Sequence, residues 1–176
     1  MDEAYLLPRS ASIEDPLRIA VLISGGGSGL AALLRYQESE VRTHQTVLVL
    51  ADSEDAGGLE HGRSHGIETL GISLPTLEDR VQRRLAHEEL VHTALVNAEV
   101  ELVVLSGYMR ILTPSFVKRW KGRLVNIHPS LLPKYPGAHA HRDALADGAV
   151  SYTHLRAHET REDRVCPGRL EKKKGG

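Results

Sequence analysis

Short apolar runs alternate along the chain with segments in which apolar residues recur every three or four positions. The runs are typical of strands that are covered on both faces, and the other segments are typical of amphipathic helices. Strands are predicted over residues 17–23, 46–50, 69–72, 102–105 and 123–127, and helices from residue 28 and over 59–65, 77–98 and 114–120. This alternation predicts a doubly wound, mostly parallel α/β sheet with helices on both faces.

The ends and faces of the helices can also be predicted. Ser28 is expected to cap the first helix, and Thr113-Pro114 is typical of an N-cap followed by the first helical residue. In the longest helix, the apolar residues at helical spacing are expected to face inward, namely Leu77, Val81, Leu85, Val91, Ala94, Leu95 and Ala98. Ligands of doubly wound sheets bind beyond the carboxyl ends of the strands, so candidate site residues should directly follow strands.

Composition changes at both ends of the alternating region. Residues 1–16 end in turn-forming residues and are interpreted as a short leader, and residues 17–150 are interpreted as the α/β domain. Residues 151–176 carry seven basic and four acidic residues, with few apolar residues at irregular spacing. Such a segment cannot bury a core, which predicts a disordered tail.

Charge and cysteine content narrow the class of protein. Among 176 residues, 22 basic side chains balance 23 acidic ones, so the net charge of −1 gives no reason to expect a nucleic-acid partner. The sequence has no membrane-spanning apolar run and does not begin like a signal peptide. Cys166 is the single cysteine, which excludes an internal disulfide. A cytoplasmic protein without a membrane partner is therefore expected.

A glycine-rich segment, residues 24–29, lies between the first strand and the first helix. Free backbone N–H groups and the positive end of the helix favour a phosphate there. A dinucleotide, with Asp52 holding a ribose, would be the obvious ligand, but its glycine fingerprint fails at Leu30. We therefore favour a monophosphate, and a tight turn without a ligand is the alternative.

Asn126 and His128 lie two positions apart on the last predicted strand and should project from the same side. An imidazole can move protons near neutral pH, and a carboxamide can donate to an oxygen that gains negative charge. The pair suits acyl-group transfer, and a buried structural histidine is the alternative. A metal site formed with His139 and His141 is disfavoured, because no cysteine or nearby carboxylate completes a ligand set.

Three stretches, residues 24–30, 107–112 and 126–137, together resemble the phosphoribosylglycinamide formyltransferase family. The similarity extends over about residues 17–148 in matching order, and the third stretch is long and gap-free. The resemblance implies a Rossmann-like formyltransferase fold. It also implies transfer of a formyl group from 10-formyltetrahydrofolate to the amine of glycinamide ribonucleotide in purine synthesis, without a metal.

The resemblance also implies roles for individual residues. The ribonucleotide phosphate would be bound by Gly27, Ser28, Gly29, Leu30 and Ala31, and the folate would contact Arg84, Met109, Arg110, Ile111, Leu112 and Asn126. Either Arg83 or Arg84 could be the folate-contacting arginine. Asn126 would steady the tetrahedral oxyanion, and His128 would be the proton donor. Gly29 stands where the family often has asparagine, which predicts a weaker contact on the phosphate side.

Beyond Gly148 the resemblance ends. The family continues with further strands, an aspartate that pairs with the catalytic histidine, and a last helix, none of which matches residues 151–176. The chain is therefore expected to be C-terminally truncated, with an unrelated tail and little or no activity. Two other functions stay open: a formyltetrahydrofolate deformylase, disfavoured by Pro129 and by the short leader, and a non-catalytic phosphate-binding α/β module.

Overall fold

The computed structural model describes residues 6–128 and 156–159, with His128 and residues 156–159 described by their backbone alone. Strands and helices follow one another in the predicted order. The elements are β1 (Leu17–Ile23), α1 (Ser28–Ser39), β2 (His44–Ala51), α2 (Leu59–Ser64), β3 (Glu68–Gly71), α3 (Arg80–Asn97), β4 (Leu102–Ser106), α4 (Pro114–Arg119), β5 (Leu124–His128) and β6 (Arg156–Glu159).

The strands form one sheet in the order β3-β2-β1-β4-β5-β6. Strands β1 to β5 are parallel to their neighbours, and β6 pairs with β5 in the antiparallel direction. The predicted doubly wound, mostly parallel α/β fold is therefore confirmed. The order of the strands reverses at β1, which lies between β2 and β4, and a crevice for ligands is expected beyond the carboxyl ends of these strands.

Each face of the sheet carries its own apolar core. Successive strand residues point to opposite faces, so that Leu22 packs with α3 and α4 while Ile23 packs with α1 and α2. The core on the α3 side includes Leu22, Leu50, Leu95, Phe116 and Trp120, and the core on the α1 side includes Val21, Ile23, Leu30, Leu34 and Leu59. Burial on both faces explains why the strands are continuous apolar runs in the sequence.

The inward face of α3 differs from the prediction in its first half. Asp79 is the N-cap, so the helix begins at Arg80 and Leu77 lies before it. Leu77, Val81 and Leu85 are 43%, 63% and 38% exposed, whereas His87, Glu88, Val91 and Leu95 are buried. Toward the helix start the buried stripe ends at His87, and Arg80 and Arg84 are exposed like the apolar residues.

Two segments outside the predicted core are attached to the sheet. Arg9 in the leader donates hydrogen bonds to the Glu101 carboxylate, at 2.5 Å from Nε and 3.1 Å from Nη2. In the segment predicted to be a disordered tail, residues 156–159 form β6 beside β5. The disorder of residues 151–176 stays a prediction. In the described part of the chain, no helix is both long and apolar enough to cross a membrane.

Candidate functional site

The loops that follow β1, β2 and β4 are joined to one another at the carboxyl edge of the sheet. Ser24, directly after β1, accepts a hydrogen bond at its Oγ from the backbone N–H of Met109 at 2.8 Å. Arg110 Nε donates to the carboxylate of Asp52, directly after β2, at 2.7 Å. The glycine-rich segment and residues 107–112 therefore belong to one continuous edge, as the sequence predicts.

The glycine-rich loop starts α1 with a different cap from the predicted one. Gly27 and not Ser28 is the N-cap, with φ 68° and ψ 35° and no side-chain cap, a backbone conformation that favours glycine. The Ala31 N–H donates to the Gly27 carbonyl at 2.8 Å. Among the described residues, the N–H groups of Ser28, Gly29 and Leu30 have no acceptor. These three amides at a helix N-terminus form the cradle that a phosphate would need.

The segment that begins α2 braces this cradle, a feature that the sequence analysis missed. The Gly58 N–H donates to the Gly25 carbonyl at 2.9 Å, and His61 Nε2 lies 3.1 Å from the Gly26 carbonyl. A Cβ on Gly58 would lie 2.8 Å from the Gly25 oxygen and 3.0 Å from the Gly27 Cα. Two backbone segments thus approach each other closely here. The two consecutive glycines before α2 were the feature of the sequence that could have indicated this close approach.

Gly29 lies against Ser106, the last residue of β4. A Cβ on Gly29 would collide with the Ser106 Oγ. The asparagine that the resemblance leads one to expect at this position would therefore require the serine hydroxyl to rotate away. The residue types at positions 29 and 106 are coupled by this contact.

A cavity of about 350 Å³ opens between α3 and the loop after β4. Its lining includes the residues that the resemblance assigns to folate on these two elements, Arg84, Met109, Arg110, Ile111 and Leu112. Arg83 lines the cavity as well, so both candidate arginines reach it. The size and the mixture of apolar walls with a few charged groups are typical of small-molecule sites.

Two buried polar side chains from α3 close the inner end of the cavity. His87 Nε2 donates to the Ile72 carbonyl at 2.7 Å. The Glu88 carboxylate accepts from the backbone N–H of Thr113 at 2.7 Å and from its hydroxyl. Thr113 is the N-cap of α4, as predicted, so Glu88 fixes the start of α4 relative to α3.

Replacing Glu88 by Ala should destabilise the protein by about 1–3 kcal/mol, because it leaves the partly buried Thr113 N–H without its acceptor. Glu89→Ala is the matched control, since the exposed ion pair of Glu89 with Arg119 should contribute about 0–1 kcal/mol. Denaturant unfolding of both variants measures the difference. Equal losses of stability would show that the Glu88 contact does not hold the two helices together.

Arg110, on the wall of the cavity, forms a partly buried ion pair with Asp52. The Asp52 side chain is only 10% exposed, and that of Arg110 is 40% exposed. Burial raises the pKa of Tyr108 well above its ordinary value, and the charge of Asp52 adds to this effect. Tyr108 therefore stays a neutral phenol on the cavity wall at physiological pH.

Asp52 is expected to affect the affinity of the cavity for its ligand indirectly, because it fixes the position of Arg110. Asp52→Asn keeps an oxygen acceptor for Arg110 Nε and should change folate affinity less than about threefold, whereas Asp52→Ala should lower it about tenfold. Equilibrium titration with folic acid measures both, with Asp55→Asn as the control on an exposed carboxylate of the same loop. Identical affinities for the asparagine and alanine variants would contradict the positioning role.

Asn126 lies on β5, half-buried and in register with Leu105 of β4. Leu124 packs in the core on the α3 side and Val125 in the opposite one, so the alternation along the strand places Asn126 on the face that carries the cavity. The backbone of His128 ends β5. Its side chain lies outside the described part of the structure, so a cleft shared by Asn126 and His128 stays a prediction.

Pro129, and the two histidines considered as metal ligands, His139 and His141, lie outside the described residues as well. Within the described ranges, no group of three or more His, Cys, Asp or Glu side chains could hold a metal ion.

These features define a class: a doubly wound α/β protein with an anion cradle and a small-molecule cavity at the switch point of its sheet. The sequence model of the formyl transferase family matches residues 17–160, which extends past the predicted domain boundary at residue 150. This match covers most of the chain. The chain belongs to the formyl transferase family.

Individual relatives agree with this assignment. The phosphoribosylglycinamide formyltransferase of Escherichia coli K12 is 43% identical over 132 residues, which cover 75% of this chain and 60% of that protein. The trifunctional purine biosynthetic protein adenosine-3 of Drosophila melanogaster is 45% identical over 133 residues, which cover 74% of this chain and 10% of the relative.

Solved structures show the same similarity. A phosphoribosylglycinamide formyltransferase from Coxiella burnetii superposes with a TM-score of 0.69 at 36% identity, covering 76% of this chain and 61% of that one. The chain thus spans about 60% of the length of its Escherichia coli relative.

Proposed function

We propose that this protein transfers the formyl group of 10-formyltetrahydrofolate to the primary amine of glycinamide ribonucleotide. The relatives at 43% and 36% identity carry the name of this activity. The observation that carries the proposal is the hydrogen bond from Met109 N–H to Ser24 Oγ, which joins the cradle loop to the cavity loop. A ligand phosphate and a second ligand in the cavity would therefore lie at one edge of the sheet.

The cradle supports the ribonucleotide half of the proposal. The amides of Ser28, Gly29 and Leu30, which have no acceptor in the part of the chain that the structure describes, lie in the first turn of α1, where the helix dipole favours an anion. The Leu30 side chain is fully buried, so only its backbone can contribute. Gly27 supplies the left-handed turn that exposes these amides. Ala31, whose amide already bonds to Gly27, would lie behind the phosphate.

The cavity supports the folate half. Met109, Ile111 and Leu112 offer apolar surface to a flat heteroaromatic ring system, and the arginines offer partners for the carboxylates at the other end of the molecule. No metal enters this proposal.

The reaction would use two residues of β5. The amine nitrogen attacks the formyl carbon, so that an N–C bond forms while the bond from that carbon to the folate N10 breaks. The Asn126 carboxamide would donate a hydrogen bond to the carbonyl oxygen as it gains charge. His128 would relay the proton that the amine loses to the departing N10. Folate supplies only the activated one-carbon unit.

Single-turnover transfer, with the 176-residue protein in excess over both substrates, tests the proposal even if turnover is slow. Formylated product that depends on His128 would support it. Release of formate without an amine acceptor would identify a deformylase instead. Binding of the ribonucleotide without transfer, at a level that is insensitive to His128→Gln, would identify a non-catalytic phosphate-binding module.

A further inference from the structure

The carboxyl end of β4 places a hydroxyl group beside the start of α1. Val104 belongs to the core on the α1 side of the sheet, so Ser106, two positions further along the strand, is on the same side. A Cβ on Gly29 would collide with the Ser106 Oγ and lie 3.7 Å from the Ser106 Cβ. Among the described residues, Ser106 is the only neighbour from outside α1 within 4 Å of that position. The serine hydroxyl therefore occupies the space that a side chain at position 29 would fill.

This hydroxyl lies toward the end of α1 at which the cradle opens. In an α-helix every Cα–Cβ bond is tilted toward the helix N-terminus. Gly29 is the second residue of α1, after the N-cap Gly27 and the first helical residue Ser28. An atom that stands in the Cβ direction of Gly29 is therefore beside the amides of the first turn and not behind them. The Ser106 Oγ has that position.

The donor capacity of the hydroxyl is unused within the part of the chain that the structure describes. The Ser106 side chain has no hydrogen bond there, although the residue is half-buried, and a hydroxyl in such a place usually has a partner. At the carboxyl end of β1, by contrast, Ser24 Oγ is engaged by the Met109 N–H. The Gly29 N–H also has no acceptor among the described residues. Two donors, one from a side chain and one from the backbone, thus lie next to each other at the cradle.

We propose that the Ser106 hydroxyl donates a hydrogen bond to the phosphate of the bound ribonucleotide, beside the Gly29 amide. This inference rests on the proposed function and adds a side-chain donor to the backbone amides of the cradle. The glycine at position 29, where the resemblance leads one to expect asparagine, predicts a weaker contact on the phosphate side. The neighbouring strand supplies a polar group in its place, and the missing side chain leaves room for it. Ser106 thereby favours the phosphorylated form of the ligand.

The test compares glycinamide ribonucleotide with its unphosphorylated ribonucleoside as ligands of the 176-residue protein. Ser106→Ala should weaken ribonucleotide binding about tenfold in isothermal titration, the contribution of a hydrogen bond to a charged group. Binding of the ribonucleoside, measured by competition, should change less than about twofold. The midpoint of denaturant unfolding should not fall, because no hydrogen bond among the described residues is lost. A hydroxyl with a merely structural role would lower that midpoint.

Gly29→Ala tests whether the hydroxyl acts from its present position. The added Cβ forces the Ser106 hydroxyl to rotate away, so this change should cost about as much ribonucleotide affinity as Ser106→Ala. The two changes together should cost little more than either one alone, since both remove the same hydrogen bond. Losses that multiply in the double variant would overturn the inference.

Ser39→Ala is the matched control, because Ser39 is an exposed serine at the other end of α1. It should leave the affinity for the ribonucleotide within about twofold. An unchanged ribonucleotide affinity in Ser106→Ala, or an equal loss for the ribonucleoside, would overturn the inference and leave the proposed function standing. Failure of the unmodified protein to bind the ribonucleotide would overturn both.

Discussion

Replacing His128 by Gln is expected to lower the single-turnover rate of formyl transfer by about a hundredfold or more, the contribution typical of a positioned proton-transfer group. Glutamine keeps a hydrogen-bonding side chain of similar reach but cannot pick up and release a proton near neutral pH. The affinities for glycinamide ribonucleotide and folic acid should stay within about threefold, because the cradle and the cavity are built by other elements.

His44→Gln is the control for this variant, since His44 is the first residue of β2 and so lies at the amino ends of the parallel strands, away from the carboxyl ends where the site lies. It should transfer formyl groups at the unmodified rate. Asn126→Ala should cost about a hundredfold as the loss of an oxyanion donor, and combining it with His128→Gln should cost less than the product of the two losses. Multiplicative losses would contradict a site in which the two side chains act on one transition state.

The strands could be predicted because their sequences satisfy one simple condition. A parallel strand buried on both faces has to be apolar at every position, and the Leu17–Ile23 strand meets this condition except at Arg18. Thr113-Pro114 was equally informative, because a hydroxyl N-cap followed by proline is typical of the first turn of a helix.

The inward face of α3 could not be predicted, because the helix covers two different environments. Its second half packs on the sheet, where apolar residues are required. Its first half borders an open cavity, where the exposed Arg80 and Arg84 are among the lining residues. Helical periodicity finds the apolar face of a helix but does not say what that face contacts. Val81 and Leu85 were therefore assigned to a core that does not reach them.

The candidate site could also be predicted only in part. The resemblance implied that residues of the loop after β4 contact the folate, and in the structure these residues line one cavity. The contacts that hold the loops of the site in place were not predicted. Gly58, His61 and Asp52 act through contacts between segments about 30 or more residues apart, such as the pair of His61 with Gly26 and that of Asp52 with Arg110. Such contacts become visible only when the loops are placed side by side.

Gly58→Ala is expected to weaken the binding of glycinamide ribonucleotide by about tenfold or more, the effect of a local backbone shift in a site that depends on exact placement. The new Cβ would meet the Gly25 oxygen at 2.8 Å and the Gly27 Cα at 3.0 Å, both backbone atoms that cannot rotate away. Relief requires the loop between β1 and α1 to move, and this movement redirects the amides of Ser28 and Gly29. Isothermal titration with the ribonucleotide measures the loss.

Gly57→Ala is the control, because a Cβ on Gly57 would meet no atom of the described residues within 4 Å. This neighbouring change should leave ribonucleotide affinity within about twofold, since it alters only the backbone freedom of the unfolded chain. Folic acid should bind Gly58→Ala with nearly normal affinity, because the cavity walls on α3 and the loop after β4 do not include Gly58. A variant at Gly58 that keeps full ribonucleotide affinity would show that the phosphate is held away from the amides that this glycine supports.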